Sequence, residues 1–149
     1  MKEINKVRFE FLSRSVNESL ARAYIAVFCA QADPTVDEVG DVKTAVSEAV
    51  TNAVVHAYPD TLGRVRVVAR LFDDSSVEVV VRDWGVGIAD VQKAREPLFT
   101  TGDDMRSGMG FTIMESFCDK IKVKSVPGKG TTITLRKSFS TKAGDGAAI

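Results

Sequence analysis

Three polar side chains recur at every fourth position of an otherwise apolar stretch: Glu48, Asn52 and His56. In a helix, residues four apart lie along one side, so the three can share a cavity. A glutamate one turn from an asparagine offers a base beside an oxygen ligand for a hard cation such as Mg²⁺. Such pairs are also common on ordinary helix surfaces, so the spacing alone leaves both interpretations open.

A second group of candidate residues, Asp83-Trp84-Gly85-Val86-Gly87, directly follows a valine-rich run. The pattern places a carboxylate at the end of a strand, and the two glycines allow a tight turn that a ligand can approach closely. A simple turn would use the same glycines, so this motif needs support from elsewhere in the chain.

Support comes from Ser107-Gly108-Met109-Gly110-Phe111, in which glycines open a helix-patterned stretch. Free N–H groups and the helix dipole at such a start favour an anion, so we predict a phosphate cradle. Arg106 precedes it and could bind a phosphate through its guanidinium, although an arginine in a solvated loop would give the same sequence pattern. Gly130-Thr131-Thr132 opens the last predicted strand and could be only the start of a hairpin strand.

The elements that must position these residues begin with a predicted strand around Val7 to Phe11, where apolar and charged residues alternate. A capping-box pattern at Ser15 to Glu18 then predicts helix one, to about Ala32. Its apolar positions at helical spacing are Val16, Leu20, Tyr24 and Val27. A second capping box at Thr35 to Glu38 predicts a long helix two, ending near Tyr58-Pro59.

Four more strands are predicted, at about 64–72, 77–82, 121–126 and 131–139, with a short helix near 91–95 and another from Gly108 to Cys118. This order favours an α+β two-layer sandwich, with helices on one face of a mixed, largely antiparallel sheet. We predict one domain over residues 1–139 and a flexible tail over 140–149.

The composition restricts the partners. The 149 residues are 44% hydrophobic and carry 20 basic and 20 acidic side chains, so no overall charge favours nucleic acid or an anionic membrane. The two cysteines have neither metal-site nor disulfide-framework spacing and are expected to be buried thiols. Without a signal-like or membrane-spanning stretch, we expect a soluble, cytoplasmic protein.

The four motifs occur in one order: V-S-E-A-V-T-N-A-V-V-H, D-W-G-V-G-I, S-G-M-G-F and G-T-T. By the order of these motifs, which span about Thr44 to Thr132, the chain resembles an ATPase family. This family includes histidine-kinase catalytic domains, gyrase B, Hsp90 and MutL. The resemblance implies the ATP-binding fold of that family, the Bergerat fold, with an N box and three glycine boxes.

Three further segments resemble the anti-sigma-F factors of sporulating bacteria. They are the connecting segments E-P-L-F-T-T and R-S-G-M-G-F-T-I-M-E-S-F-C-D and the helix-one sequence N-E-S-L-A-R. This narrower resemblance covers nearly the whole chain. Trp84 departs from it where an acidic residue is common, and Ala57 stands where relatives often have glycine. Neither change removes a chemical group.

The resemblance implies binding of ATP or ADP with Mg²⁺. Asp83 would accept a hydrogen bond from the adenine amino group, Asn52 would ligate Mg²⁺, and Glu48 would be the catalytic base. The expected nucleotide-binding residues are Asn52, Asp83, Gly85, Gly87, Thr100, Thr101, Arg106, Ser107, Gly108, Met109, Gly110 and Thr131.

The resemblance further implies a protein serine kinase that phosphorylates an anti-anti-sigma protein and, as a homodimer, holds a sporulation sigma factor inactive. Arg22 would contact these protein partners. His56, the only histidine, is expected to be packed or hydrogen-bonded and not to accept phosphate.

Three alternatives stay open: an ATPase of this fold that uses water as nucleophile, a nucleotide-controlled sigma-binding module without phosphate transfer, and a general-stress anti-sigma kinase.

Overall fold

The computed structural model describes residues 1–96 and 107–140, with Ser107 and Gly108 described for their backbone alone. A five-stranded sheet has the order β1-β2-β3-β5-β4, and each neighbouring pair is antiparallel. The strands are β1 (Glu3–Leu12), β2 (Arg64–Phe72), β3 (Ser76–Asp83), β4 (Lys120–Val126) and β5 (Gly130–Ser138). The predicted α+β sandwich is confirmed, with a fully antiparallel sheet within these residues.

The helices are α1 (Val16–Cys29), α2 (Val36–Thr51), α3 (Val91–Ala94) and α4 (Ser107–Phe117). A short 3₁₀ turn, Ala30–Ala32, extends α1, and a π-helical turn, Asn52–His56, extends α2. Every predicted helix and strand is present, with ends that differ by a few residues. None of the described helices is long and apolar enough to cross a membrane.

Only one of the two predicted capping boxes forms. Thr35 accepts a hydrogen bond from the backbone N–H of Glu38 at 3.1 Å, and the Glu38 carboxylate accepts one from the Thr35 N–H at 2.8 Å. Ser15 makes no such bond at the start of α1. There the Glu18 carboxylate instead accepts a hydrogen bond from Ser47 and pairs with Arg22, so tertiary contacts replace the local cap.

The core lies between the helices and one face of the sheet. Alternate residues of β2 and β3 are buried there, and α2 covers them with a run of small and β-branched side chains. The buried residues of α2 are Val42, Ala45, Val46, Ala49 and Val50. Small side chains let α2 lie close to the sheet, which fixes its C-terminal half as a platform for the site.

The apolar stripe predicted for α1 is not its buried face. Val16 and Val27 are 71% and 74% exposed, and Leu20 and Tyr24 are exposed on the same side. The helix packs through the residues between them, which are Ala21, Ile25, Phe28 and Cys29. Both sides of this helix are apolar, so spacing alone could not show which one faces the core.

Candidate functional site

Asp83 ends β3 as a buried carboxylate, with 3% of the residue exposed. Its Oδ1 accepts hydrogen bonds from the backbone N–H groups of Gly85 at 3.0 Å and Thr131 at 3.1 Å. Within the described residues, Oδ2 accepts no hydrogen bond. The site therefore fixes the direction of the carboxylate and keeps one acceptor atom for a ligand.

Burial raises the pKa of the Asp83 carboxyl, and the two backbone N–H groups offset part of that effect. An ionised carboxylate in this position is costly unless a further donor meets it. The Asp83 carboxyl therefore favours a ligand that brings a hydrogen-bond donor.

The segment after Asp83 is held against the end of helix two by close backbone contacts. The Val86 N–H donates to the Ala57 carbonyl at 2.9 Å, and a Cβ on Gly85 would lie 2.1 Å from that same oxygen. Gly87 has φ of 76°, and a Cβ there would lie 2.4 Å from the Val126 carbonyl oxygen. Packing therefore requires glycine at both positions, while their predicted contact with a nucleotide stays a prediction.

Two residues that the sequence analysis missed complete this end of the site. The Ser125 hydroxyl accepts from the Ile88 N–H at 2.7 Å and lies 2.8 Å from the Thr131 hydroxyl. The Tyr58 hydroxyl accepts from the Trp84 N–H and donates to the Arg64 carbonyl, both at 2.7 Å. Neither residue belongs to a recognisable motif, because each works by joining segments that are distant in the sequence.

Glu48 and Asn52 lie at the C-terminal end of α2, where the helix widens. The Ala57 N–H donates to the Asn52 carbonyl at 3.1 Å, the five-residue spacing of a π-helical turn. Such turns often occur at functional sites. The regular four-residue spacing assumed between Asn52 and His56 is therefore interrupted by this turn, and the shared cavity of the three side chains stays a prediction.

The Glu48 carboxylate lies next to the glycine-rich start of α4. A Cβ on Gly110 would lie 3.4 Å from Glu48 Oε2, so a glycine there leaves room for the carboxylate. Phe111 and Met114 are buried and anchor α4 to the core. The structure thus brings together Glu48 and the predicted phosphate cradle, which are 62 positions apart between Glu48 and Gly110.

The half-buried Asn52 side-chain amide makes no hydrogen bond within the described residues. It is therefore available to a ligand. Met109 is half-buried in the first turn of α4, where Ser107 and Gly108 also lie. The predicted contacts of Thr100, Thr101 and Arg106 fall outside the described residues.

A polar cavity of about 400 Å³ connects Glu48 to helix α1. Its lining residues are Arg22, Gly40, Lys43, Thr44, Ser47 and Glu48. The Arg22 side chain is 41% exposed and lies 3.6 Å from the Glu18 carboxylate. Arg22 therefore reaches solvent as predicted and, together with Glu48, lines this cavity, which we call the groove.

This arrangement matches a known class of domain. The model of the histidine kinase-like ATPase domain matches residues 11–137 of the chain. In fold, the chain is similar to the RsbU and RsbW domains of a Mycobacterium tuberculosis protein, with a TM-score of 0.67 at 22% identity over 93% of this chain and 33% of that one. It is also similar to full-length ShkA in complex with AMPPNP, with a TM-score of 0.59 at 19% identity over 85% and 30%.

Closer relatives narrow the class. The anti-sigma F factor of Geobacillus stearothermophilus is 49% identical over 139 residues, which is 93% of this chain and 95% of the relative. That of Heyndrickxia coagulans is 51% identical over 142 residues, with 93% and 95% covered. That of Clostridium acetobutylicum is 50% identical over 137 residues, with 91% and 95% covered. The chain belongs to the anti-sigma F factor family of histidine kinase-like ATPase domains.

Proposed function

We propose that this protein is an ATP-dependent protein serine kinase that also sequesters a sporulation sigma factor, and that its phosphate acceptor is a serine of an anti-anti-sigma protein. One observation carries the proposal: the Glu48 carboxylate lies against Gly110 of the predicted phosphate cradle and lines the same groove as Arg22. This placement supports a base beside the phosphate, with the groove as the access route for a protein substrate.

Adenine recognition is assigned to Asp83. Its Oδ2 would accept a hydrogen bond from the adenine amino group, while Oδ1 is held by Gly85 and Thr131. Guanine presents a carbonyl acceptor at the equivalent ring position, which would face the carboxylate without a hydrogen. This donor and acceptor pattern supports selectivity for adenine nucleotides.

Asn52 is the proposed protein ligand for Mg²⁺. In the described ranges, no group of three or more His, Cys, Asp or Glu side chains could hold a metal ion by itself. The amide oxygen of Asn52 suits a cation that takes few protein oxygens together with nucleotide phosphates. The residues present fit the ion, which would neutralise charge on the transferring phosphate.

Glu48 is the proposed general base. It would take the proton of the acceptor serine as that oxygen bonds to the γ-phosphorus and the bond to the leaving ADP oxygen breaks. The N–H groups at the start of α4 would hold the phosphate oxygens. Thr100, Thr101 and Arg106 complete the predicted set of nucleotide contacts.

The protein partners are assigned to the rim of the groove and to the outer side of α1. Arg22 offers a planar guanidinium that suits a carboxylate of the sigma factor or the anti-anti-sigma protein. The exposed apolar stripe of α1, which lies beside a cavity of about 430 Å³ that includes Val7 of β1, supports a homodimer contact.

The test uses the full chain with a purified sporulation sigma factor and anti-anti-sigma protein. We expect ATP-dependent phosphoserine on the anti-anti-sigma protein and retention of the sigma factor in the presence of nucleotide. Phosphate release without phosphoserine would indicate water as the nucleophile. Retention of the sigma factor without any phosphate transfer would reduce the protein to a nucleotide-controlled binding module, the second candidate.

A further inference from the structure

We propose that the sheet face opposite the helices is a docking surface for an acidic protein partner. We call this surface the outer face and define it by the outward side chains of the five strands, β1 to β5, together with Trp84. The inference is independent of the proposed kinase activity, because the nucleotide site lies on the helix side of the sheet.

Positive charge is concentrated on the outer face, although the chain as a whole carries 20 basic and 20 acidic residues. Lys120, Lys122 and Lys124 occupy alternate outward positions of the edge strand β4 and are exposed. Arg66 and Arg82 are direct cross-strand partners in β2 and β3. The overall balance of charge therefore hides a strongly basic surface.

The acidic residues of the same face are already neutralised by arginines. Glu10 lies 2.7 Å from Arg66, and Glu78 lies 3.3 Å from Arg70. By contrast, no acidic side chain among the described residues lies within ion-pair distance of Arg82, Lys122 or Lys124. Charge complementarity therefore calls for carboxylates from outside the chain.

The arginines of this face are also oriented. The guanidinium carbons of Arg64, Arg82 and Arg66 lie 3.8, 4.7 and 5.1 Å from the centre of the Trp84 ring. Stacking on an indole leaves the hydrogen-bonding edges of a guanidinium available to a carboxylate. Arg64 and Arg66 already lie 4.0 and 2.7 Å from Glu10, so among the described residues it is Arg82 that offers these edges to a partner. Lysines on the edge strand β4 could serve only to prevent pairing with another sheet. That role does not apply to Arg66 and Arg82, which lie opposite each other on interior strands, where like charges destabilise a sheet.

The centre of the outer face favours a protein over a nucleic acid. Val68 and Val80 are cross-strand partners and lie between the row that holds Arg66 and Arg82 and the row that holds Arg70. An apolar centre with a charged rim is typical of protein interfaces. The Arg64 guanidinium lies 3.8 Å from the centre of the Trp84 ring, where it competes with a base for stacking on that ring.

Trp84 is the single tryptophan of the chain, so its fluorescence reports on this surface. The probe is a synthetic peptide in which glutamates flank two central leucines, titrated into the full chain. We expect saturable binding that weakens with added salt, since the Debye length falls to about 8 Å at 0.15 M. A peptide with glutamine in place of glutamate should not bind.

The test variant is Lys122→Glu with Lys124→Glu, which changes exposed residues that do not contact Trp84. Its affinity for the glutamate peptide should fall about tenfold, a loss of about 1.4 kcal/mol. The control is Arg14→Glu with Lys129→Glu, which changes the net charge equally at exposed turn residues outside the outer face. It should lose less than about threefold.

Equal losses in the two double variants would overturn the proposal, as would binding of the glutamine peptide. Tighter binding of a single-stranded oligonucleotide, lost in the same test variant, would also overturn it in favour of a nucleic-acid surface. Self-association that the test variant abolishes would replace the partner with a second copy of the chain. Arg82→Gln, which keeps Trp84 and removes one unpaired cation, should weaken peptide binding by a few fold.

Discussion

The Asp83 end and the Glu48 end of the candidate site are constructed by different means. At the Asp83 end, backbone N–H groups and hydroxyls hold each other across three separate segments, as in the bonds from Gly85 and Thr131 to Asp83. At the Glu48 end, the functional groups project from one helix, and the Asn52 amide makes no hydrogen bond within the described residues. The first end is preformed, whereas at the second end the Asn52 amide stays available to a ligand.

The difference suggests a division of labour between recognition and chemistry. A preformed acceptor lowers the ordering cost of binding and should govern which nucleotide enters. Groups placed beside the phosphate, such as the proposed base Glu48, can act on the transition state and should govern rate. Substitutions at the Asp83 end should therefore change affinity, and substitutions at the Glu48 end should change turnover.

The largest effect is expected for Glu48→Gln. The amide keeps the shape of the side chain but cannot take a proton, so the rate of phosphate transfer to the serine should fall by about 10² or more. ATP affinity should change by only a few fold. Glu115→Gln, on the exposed side of α4, is the matched control for transfer measured with labelled ATP. Transfer at the wild-type rate in Glu48→Gln would remove Glu48 from the chemistry.

Asp83→Asn should produce the next largest effect. The asparagine oxygen can keep the bonds from Gly85 and Thr131, which leaves its NH₂ group facing the adenine amino group, donor against donor. We expect ATP affinity to fall by about 100-fold or more, or about 3 kcal/mol. Calorimetry against Asp60→Asn, an exposed turn residue, measures the loss. Unchanged affinity, or equal affinity of the wild type for GTP, would place the base elsewhere.

The raised pKa of Asp83 predicts a pH dependence for the same contact. As pH falls through that raised pKa, above the ordinary Asp value of 3.8, the carboxylate gains a proton and ATP affinity should decline. Asp83→Asn should lack this dependence. Folding stability should change in the opposite direction. The buried carboxyl binds its proton more tightly in the folded state than in the unfolded state, so its contribution to the free energy of unfolding should increase as pH falls. ATP titrations measure the first pH dependence, and urea denaturation at the same pH values measures the second.

Most of the architecture could be predicted from the sequence because local patterns and tertiary packing agree in it. The boundaries of β2, at Arg64–Phe72, match the β-branched run, and the capping box at Thr35 does start α2. The glycine motifs were also recognisable, because a turn that requires glycine can be identified from the position of that residue in the sequence.

The rest could not be predicted, because long-range contacts decide it. Helix α1 has two apolar sides, and spacing alone does not show that the side with Ala21 and Ile25 faces the core. The π-helical turn after α2 leads into a bond from the Val86 N–H to the Ala57 carbonyl, a long-range contact that no local pattern encodes. Ser125 is an ordinary strand serine until the fold brings Ile88 to its hydroxyl.

Arg22→Ala tests whether the groove at the Glu48 end receives protein partners. Loss of an interface arginine typically costs about 2 kcal/mol, roughly 30-fold in affinity. Binding of both the sigma factor and the anti-anti-sigma protein should weaken, while ATP affinity stays at the wild-type value. Arg14→Ala, an exposed residue before α1, is the control. Wild-type affinity for both partners would move the interface away from this groove.

The smallest effect is expected for Ser125→Ala, which probes how rigid the Asp83 end is. The hydroxyl accepts from the Ile88 N–H at 2.7 Å and approaches the Gly130 carbonyl at 3.1 Å, beside the strand that supplies the Thr131 N–H to Asp83. Its loss leaves a partly buried N–H without an acceptor, which should cost about 1 kcal/mol of folding free energy in urea denaturation.

The same loss should loosen the loop without touching the carboxylate, so ATP affinity should fall by only about fivefold, and transfer at saturating ATP should stay unchanged. Ser116→Ala is the control, because its hydroxyl donates to the Thr112 carbonyl at 2.9 Å on the exposed side of α4. If Ser125→Ala lowered the transfer rate and left affinity intact, the two ends would not be separable, and the division between recognition and chemistry would fail.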